Sequence, residues 1–207
     1  MGTTPGDPNP QHSLSMAADG DPQAWREIVD AFSPRVYALL LRQCGDRELA
    51  EELTQQTFVK LVSQLARRRY EEQGKFESWL FRIATNGLRD EIRRRRRQAR
   101  PMDFTAGDGN DGRDRIAEPV SPDAQNPFEG ASRAEQIELL RRAVAQLSEV
   151  DQQILNLRHT AGLSYVQIAE VLDEPLGTVL ARGHRALGKL RRKMTSQTAP
   201  PTPDSEV

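Results

Sequence analysis

The stretch from Leu163 to Met194, LSYVQIAEVLDEPLGTVLARGHRALGKLRRKM, constrains this chain more than any other. Ser164 with Gln167 three residues on forms a capping box, which fixes where a helix starts. Asp173-Glu174-Pro175 ends that helix, because proline cannot extend it and drives the preceding residue toward extended geometry. Beyond the break, Leu176, Val179, Leu187 and Leu190 recur at three-to-four spacing and are expected to face inward. Thr178, Arg182, Arg185, Lys189 and Arg192 follow the same rhythm on the opposite face, and no acidic residue stands between Leu176 and Met194. A helix, a tight break and a second helix with a wholly cationic face form the pattern of a helix-turn-helix that enters a DNA major groove. A solvated helix of an ordinary bundle is the plainer alternative.

The net charge of −1 over 207 residues would by itself argue against a nucleic-acid binder. Charge is segregated, however: basic blocks at 25–98 and 133–194 flank an acidic stretch at 99–132. Two such blocks suggest two modules that each meet a polyanion. The single cysteine, Cys44, excludes an internal disulfide and a cysteine-based metal cluster. His12, His159 and His184 lie far apart, so no metal site and no cofactor are expected. The longest apolar run, Ala38 to Leu41, is far too short for membrane insertion, and the N-terminus lacks a basic-then-apolar signal. A soluble cytoplasmic protein is expected.

Apolar periodicity is helical throughout, and no segment reads as a strand, so the fold class is all-α. Residues 1–20, rich in Gly, Pro, Asp and Ser, read as a disordered tail. Asp21-Pro22 opens a first helix and Ser33-Pro34 a second, which ends at Gly45. Asp46 caps a third, with Leu49, Leu53, Leu61, Val62 and Leu65 inward. A fourth runs from Phe76 to Gln98, closing a domain at 21–98. Residues 99–131 lose periodicity and read as a flexible acidic linker. Ser132 with Glu135, and Ser148 with Asp151, open two further helices. With the basic hairpin these make a second small helical domain at 132–194, which contains the helix-turn-helix; 195–207 is a short disordered tail.

Two motif sets then stand in order. Leu49-Ala50-Glu51-Glu52-Leu53-Thr54-Gln55-Gln56-Thr57-Phe58 and Phe76-Glu77-Ser78-Trp79-Leu80-Phe81-Arg82-Ile83-Ala84-Thr85-Asn86 lie in the first domain. Ser164-Tyr165, Ile168-Ala169, Gly177-Thr178-Val179 and His184-Arg185-Ala186 lie in the second. Together these motifs resemble the extracytoplasmic-function sigma factors of bacterial RNA polymerase, over about 140 residues. The resemblance implies a promoter-specificity subunit with no bond chemistry of its own. By it, Leu49, Glu52, Leu53, Gln55 and Gln56 dock on the clamp helices of the largest subunit of core RNA polymerase, and the second domain also meets the polymerase flap. Phe76, Arg82, Asn86, Arg89, Asp90, Arg93 and Arg94 would serve the −10 element, and Thr178, Arg182, His184, Arg185, Lys189 and Arg192 the −35 element of promoter DNA. The loop from Tyr70 to Lys75 would read the −10 non-template strand. An anti-sigma factor is a further implied partner.

The chemistry of these residues suits those roles. Aromatic rings beside cations hold unstacked bases, at about 1–3 kcal/mol per stacked base. Trp79 with Ile83, four residues on, fits a core position better than a stacking platform. The arginine run Arg93 to Arg97 exceeds what a helix C-terminus requires and suits duplex phosphates. Arginine forks such as those of Arg182 and Arg185 can grip guanine bidentately, whereas Lys189, Arg191 and Arg192 suit phosphates. Leu180 and Ala181 stand where the family usually places polar or basic readers, and Gly183 replaces a packing aliphatic. Gln56 stands where the family prefers glutamate. The competing reading is a helix-turn-helix regulator that binds operators as a dimer. An enzyme acting on nucleic acid would need clustered carboxylates, and Asp90-Glu91 is too thin a set.

Overall fold

The computed structural model describes residues 10–66, 74–98 and 127–198. Eight helices make up these segments: α1 (Pro10–Ala18), α2 (Pro22–Cys44), α3 (Arg47–Ala66), α4 (Phe76–Gln98), α5 (Pro127–Ala145), α6 (Glu149–His159), α7 (Tyr165–Leu172) and α8 (Leu176–Thr198). The chain divides into two compact units, residues 1–117 with 156–174, and residues 118–155 with 175–207. Helix α7 falls within the first of these units, and the sequence expectation for it is the helical domain at 132–194. The linker expected at 99–131 lies outside the described residues up to 126.

The first unit is built on local signals that act where the sequence puts them. The Asp21 carboxylate accepts from Gln23 N at 2.8 Å, with Pro22 at the first helical position. At the far end of α2, Gly45 takes the left-handed conformation, φ 69°, and its N–H donates to Leu41 O at 2.8 Å. Asp46 Oδ1 accepts from Leu49 N at 3.1 Å and opens α3. The Ser164–Gln167 capping box closes in both directions at the start of α7. Asp173, at φ 56°, ends α7 in the left-handed region.

Helix α2 does not break at Pro34. Its inner stripe of Ile28, Phe32, Val36, Leu39 and Leu40 is continuous across the proline, which sits on the exposed side. An interior proline costs about 3 kcal/mol, whereas burying each large apolar side chain gains about 1.5–3 kcal/mol. Burial wins, and the helix runs through. The core of this unit adds Leu49, Ala50, Leu53, Leu61 and Leu65 from α3 and Leu80, Phe81, Ala84 and Leu88 from α4. The hydroxyls of Thr54, Thr57 and Thr85 donate back to the carbonyls of Ala50, Leu53 and Phe81, so they enter this interior satisfied. Val62, expected inward, is 45% exposed. The segment expected to be a disordered tail contains α1, which packs on α2 through buried Leu14 and Ala17. The Gly, Pro and Asp content of residues 1–9 had masked that short apolar pair.

In the second unit α5 packs against α8, and Leu147, Leu155 and Ala186 cluster with Leu190 against them. The Ser148 hydroxyl accepts from Asp151 N at 3.3 Å at the start of α6. Helix α5 begins at Pro127, upstream of Ser132, and α8 runs on to Thr198. The inward stripe of α8 is Val179, Gly183, Ala186 and Leu190, while Leu176 and Leu187 are 41% and 37% exposed. The stripe is therefore rotated toward small residues, which leucine-weighted periodicity passes over.

Candidate nucleic-acid interface

Three helical faces carry the candidate residues. On α3, Glu52, Gln55 and Gln56 are exposed along one side, and Gln56 Nε2 donates to Glu52 Oε1 at 2.9 Å. Leu49 and Leu53 are buried, so they hold the helix in place and do not belong to its contact surface. Val59 and Val62 prolong the exposed stripe, at 68% and 45% exposure; neither is expected there from the sequence, which places Val62 on the inward side.

On α4, helical spacing places Arg82, Asn86, Arg89, Asp90 and Arg93 on a common exposed flank. Phe76 departs from its expected role. It is 3% exposed, edge-on to Phe32 with ring centroids 5.3 Å apart and 6.3 Å from Trp79. Its ring fixes the start of α4 and is not available to stack on a base. Trp79 is half-buried, and Phe81 is wholly enclosed. The face is therefore polar and cationic, with its aromatics beneath.

The arginine run at the end of α4 is partly tied back. Glu91 Oε2 and Oε1 accept from Arg94 at 2.6 and 2.8 Å, and Oε1 also accepts from Arg95 at 2.9 Å. Arg95 lies 3.6 Å from Asp46 as well. Hydrogen bonding from Arg94, then from Arg95, lowers the Glu91 carboxyl to about 2, and the same bonds raise both guanidinium groups. Arg93, Arg96 and Arg97 are exposed. The i,i+3 and i,i+4 spacing from Glu91 was the signal for this arrangement, and the sequence reading passed over it.

On α8, Arg185, His184 and Arg192 are exposed, and Thr178 and Arg182 are half-buried. Arg185 Nε donates to Ala181 O at 3.2 Å. Lys189, expected at a phosphate, instead places Nζ 2.6 Å from Asp151 Oδ2, whose side chain is 8% exposed. Burial pushes that carboxyl up, but the Lys189 and Ser148 hydrogen bonds outweigh it and hold it below its ordinary value. Lys189 thus fastens α8 to α6. Gly183 is buried on the inward side of α8.

Among the described residues, no three His, Cys, Asp or Glu converge to hold a metal ion, and no helix is long and apolar enough to cross a membrane. The Cys44 thiol donates to Asp46 O at 3.3 Å, and burial raises its pKa.

Comparison with known proteins places these faces in a family. Residues 28–98 match Sigma-70 region 2, and residues 137–190 match Sigma-70 region 4. The chain is 33% identical over 199 residues to the ECF RNA polymerase sigma factor SigE of Mycolicibacterium smegmatis, covering 92% of this chain and 71% of that protein. It is 28% identical over 183 residues to the ECF RNA polymerase sigma factor SigW of Bacillus subtilis, covering 87% and 94%. Its fold resembles that of CnrH, solved in complex with the cytosolic domain of CnrY, with TM-score 0.64 at 20% identity over 91% of this chain and 99% of that one. The protein belongs to the extracytoplasmic-function RNA polymerase sigma factors, the initiation factors that bind core RNA polymerase and direct it to promoter DNA.

Proposed function

We propose the following division of labour within that function. The exposed stripe of α3, Glu52, Gln55 and Gln56, docks on the clamp helices of the largest polymerase subunit; its carboxylate and amides can pair with an arginine-rich helix. The flank of α4 with Arg82, Asn86, Arg89 and Asp90 serves the −10 element. Arg93 and its neighbours hold duplex phosphates upstream of it. Helix α8 serves the −35 element through Thr178, Arg182, His184, Arg185 and Arg192, and the same C-terminal unit meets the flap. The linker threads toward the polymerase cleft, an anti-sigma protein covers these faces when the factor is held inactive, and the protein works in the cytoplasm without bond chemistry of its own.

The observation that carries this reading is the α4 flank: exposed arginines and an asparagine at helical spacing, on a helix anchored by the buried rings of Phe76 and Phe81. A cationic polar face on a rigid helix suits strand capture by phosphate contact and base-edge hydrogen bonding.

The test is size-exclusion of the full chain with bacterial core RNA polymerase, with and without Glu52→Lys plus Gln55→Ala. Co-elution is expected for the wild type and loss of co-elution for the variant. A protein that fails to co-elute and instead dimerises on duplex DNA would be an operator-binding regulator. Co-elution that survives both changes would move the docking surface off α3.

A further inference from the structure

We infer that Asp151 is a positioning residue for promoter recognition: by seating Lys189 it fixes how α8 lies against the corner between α5 and α6, and so which base pairs Arg182 and Arg185 reach. The inference rests on α8 being the helix that meets the −35 element.

The cations of α8 divide by rung. Arg185 and Arg192 are exposed, whereas Lys189 and Lys193, four residues apart and so on one side of the helix, both turn to protein. Lys189 Nζ meets Asp151 Oδ2 at 2.6 Å, and Lys193 Nζ donates to Gln146 Oε1 at 2.9 Å. Both partners come from one corner, where α5 ends at Ala145 and α6 starts at Glu149. That corner is itself closed. Gln152 Nε2 donates to Leu147 O at 2.9 Å and to Ala145 O at 3.3 Å, and the Ser148 hydroxyl accepts from Asp151 N. Leu147 and Leu155 from the corner, with Ala186 and Leu190 from α8, supply the apolar contact beside these bonds.

Two features set this pair apart from a surface ion pair. The Asp151 side chain is only 8% exposed, although Ser148, Glu149 and Val150 just before it are exposed. A buried carboxylate left unpaired is costly, so Lys189 is held to it. The apolar contact, moreover, brings α8 in through one alanine and one leucine, which resist sliding or rolling of the helix only weakly. A directional ion pair supplies that register, which is the best-attested use of a buried charge. Asp151 also feels the charge of Arg185, one turn before Lys189. With Lys189 seated, the carboxylate is satisfied and Arg185 stays on the outer face, where its fork can grip guanine.

Base-edge hydrogen bonds weaken steeply with distance and angle, whereas attraction to phosphate falls off gently. A small roll of α8 therefore costs sequence discrimination and leaves general affinity for DNA in place.

The test uses the full chain in holoenzyme with bacterial core RNA polymerase, on a duplex pool randomised at the −10 and −35 positions. The parent is expected to enrich one sequence, which is then compared with the same duplex scrambled at −35 alone. Asp151→Asn and Lys189→Met should each lower that discrimination roughly tenfold, within the range of one lost bidentate contact. Affinity for the scrambled duplex, and its salt slope, should stay as in the parent. Lys189→Arg, which keeps the pair, should keep the discrimination. A merely structural role would weaken binding to both duplexes alike, and an unmoved ratio overturns the positioning role. Should Asp151→Asn fail to fold, the two substitutions at the half-exposed Lys189 decide the question by the same ratio. Tighter binding of Asp151→Asn to both duplexes, with a salt slope steeper by about one, would make Lys189 a phosphate ligand and also overturns it. If the parent enriches no −35 sequence, the assignment of α8 fails, and the positioning role fails with it.

Discussion

Glu91 controls how much of the arginine run is available to a phosphate. Its carboxylate holds Arg94 and Arg95 by three hydrogen bonds of 2.6 to 2.9 Å, so two of the five guanidinium groups meet DNA only after giving up an internal partner. Because the folded carboxyl titrates near 2, below its ordinary 4.5, the pairing contributes stability that is complete above about pH 5 and is lost as pH falls toward 2. Glu91→Gln should lower the melting temperature at pH 7 by only about 1–3 °C, as exposed pairs of this spacing do. That difference should vanish in melts near pH 2. Freed from Glu91, the two arginines should steepen the log–log salt dependence of promoter binding by the holoenzyme by about one to two. Binding measured between low and moderate salt reads that slope directly.

Helix α8 shows what periodicity can and cannot settle. Its limits at Leu176 and its cationic face followed from the proline and the spacing of Arg182, Arg185 and Arg192. Its buried stripe did not, because the positions that pack are Gly183 and Ala186, while Leu187 is 37% exposed. Ala186 is fully enclosed against Leu147 and Leu155. Ala186→Leu should therefore overpack that cluster and cost about 1–3 kcal/mol, whereas Leu187→Ala should stay within about 0.5 kcal/mol of the parent in urea melts. The reverse ranking would mean that the helix turns its leucines inward. Caps at Asp21, Asp46 and Ser164 were legible because each acts within three residues. The bonds from Glu77 to Arg35 and Gln167 span 42 and 90 positions, and no local pattern announces them. The α4 flank was readable as a row of residue types, but the burial of Phe76 beneath it depends on Phe32 from another helix.

For the molecule as a whole, the N-terminal segment decides where the first unit ends. Composition marks residues 1–20 as a solvated tail, and a tail could be removed without consequence. The packing argues otherwise. Helix α1 lies on α2 and also meets α3, and Leu14 and Ala17 are each 2% exposed. The turn that follows is ordered by backbone bonds from Asp19, Gly20 and Asp21 to Ser15, Ala17 and Met16, with Gly20 at φ 92°. Asp21 thus takes part both in this turn and in the cap of α2, so α1 is continuous with the helix that supplies Phe32 and Arg35. Leu14→Ala should cost about 2–4 kcal/mol, as buried leucine truncations do, and should appear as a lower urea midpoint with an unchanged slope. Removal of residues 1–18 should cost at least as much, since it uncovers the apolar surface of α2 beneath Leu14 while leaving the Asp21 cap intact. A midpoint that moves with neither change would show α1 to be a dispensable helix resting on a core complete without it.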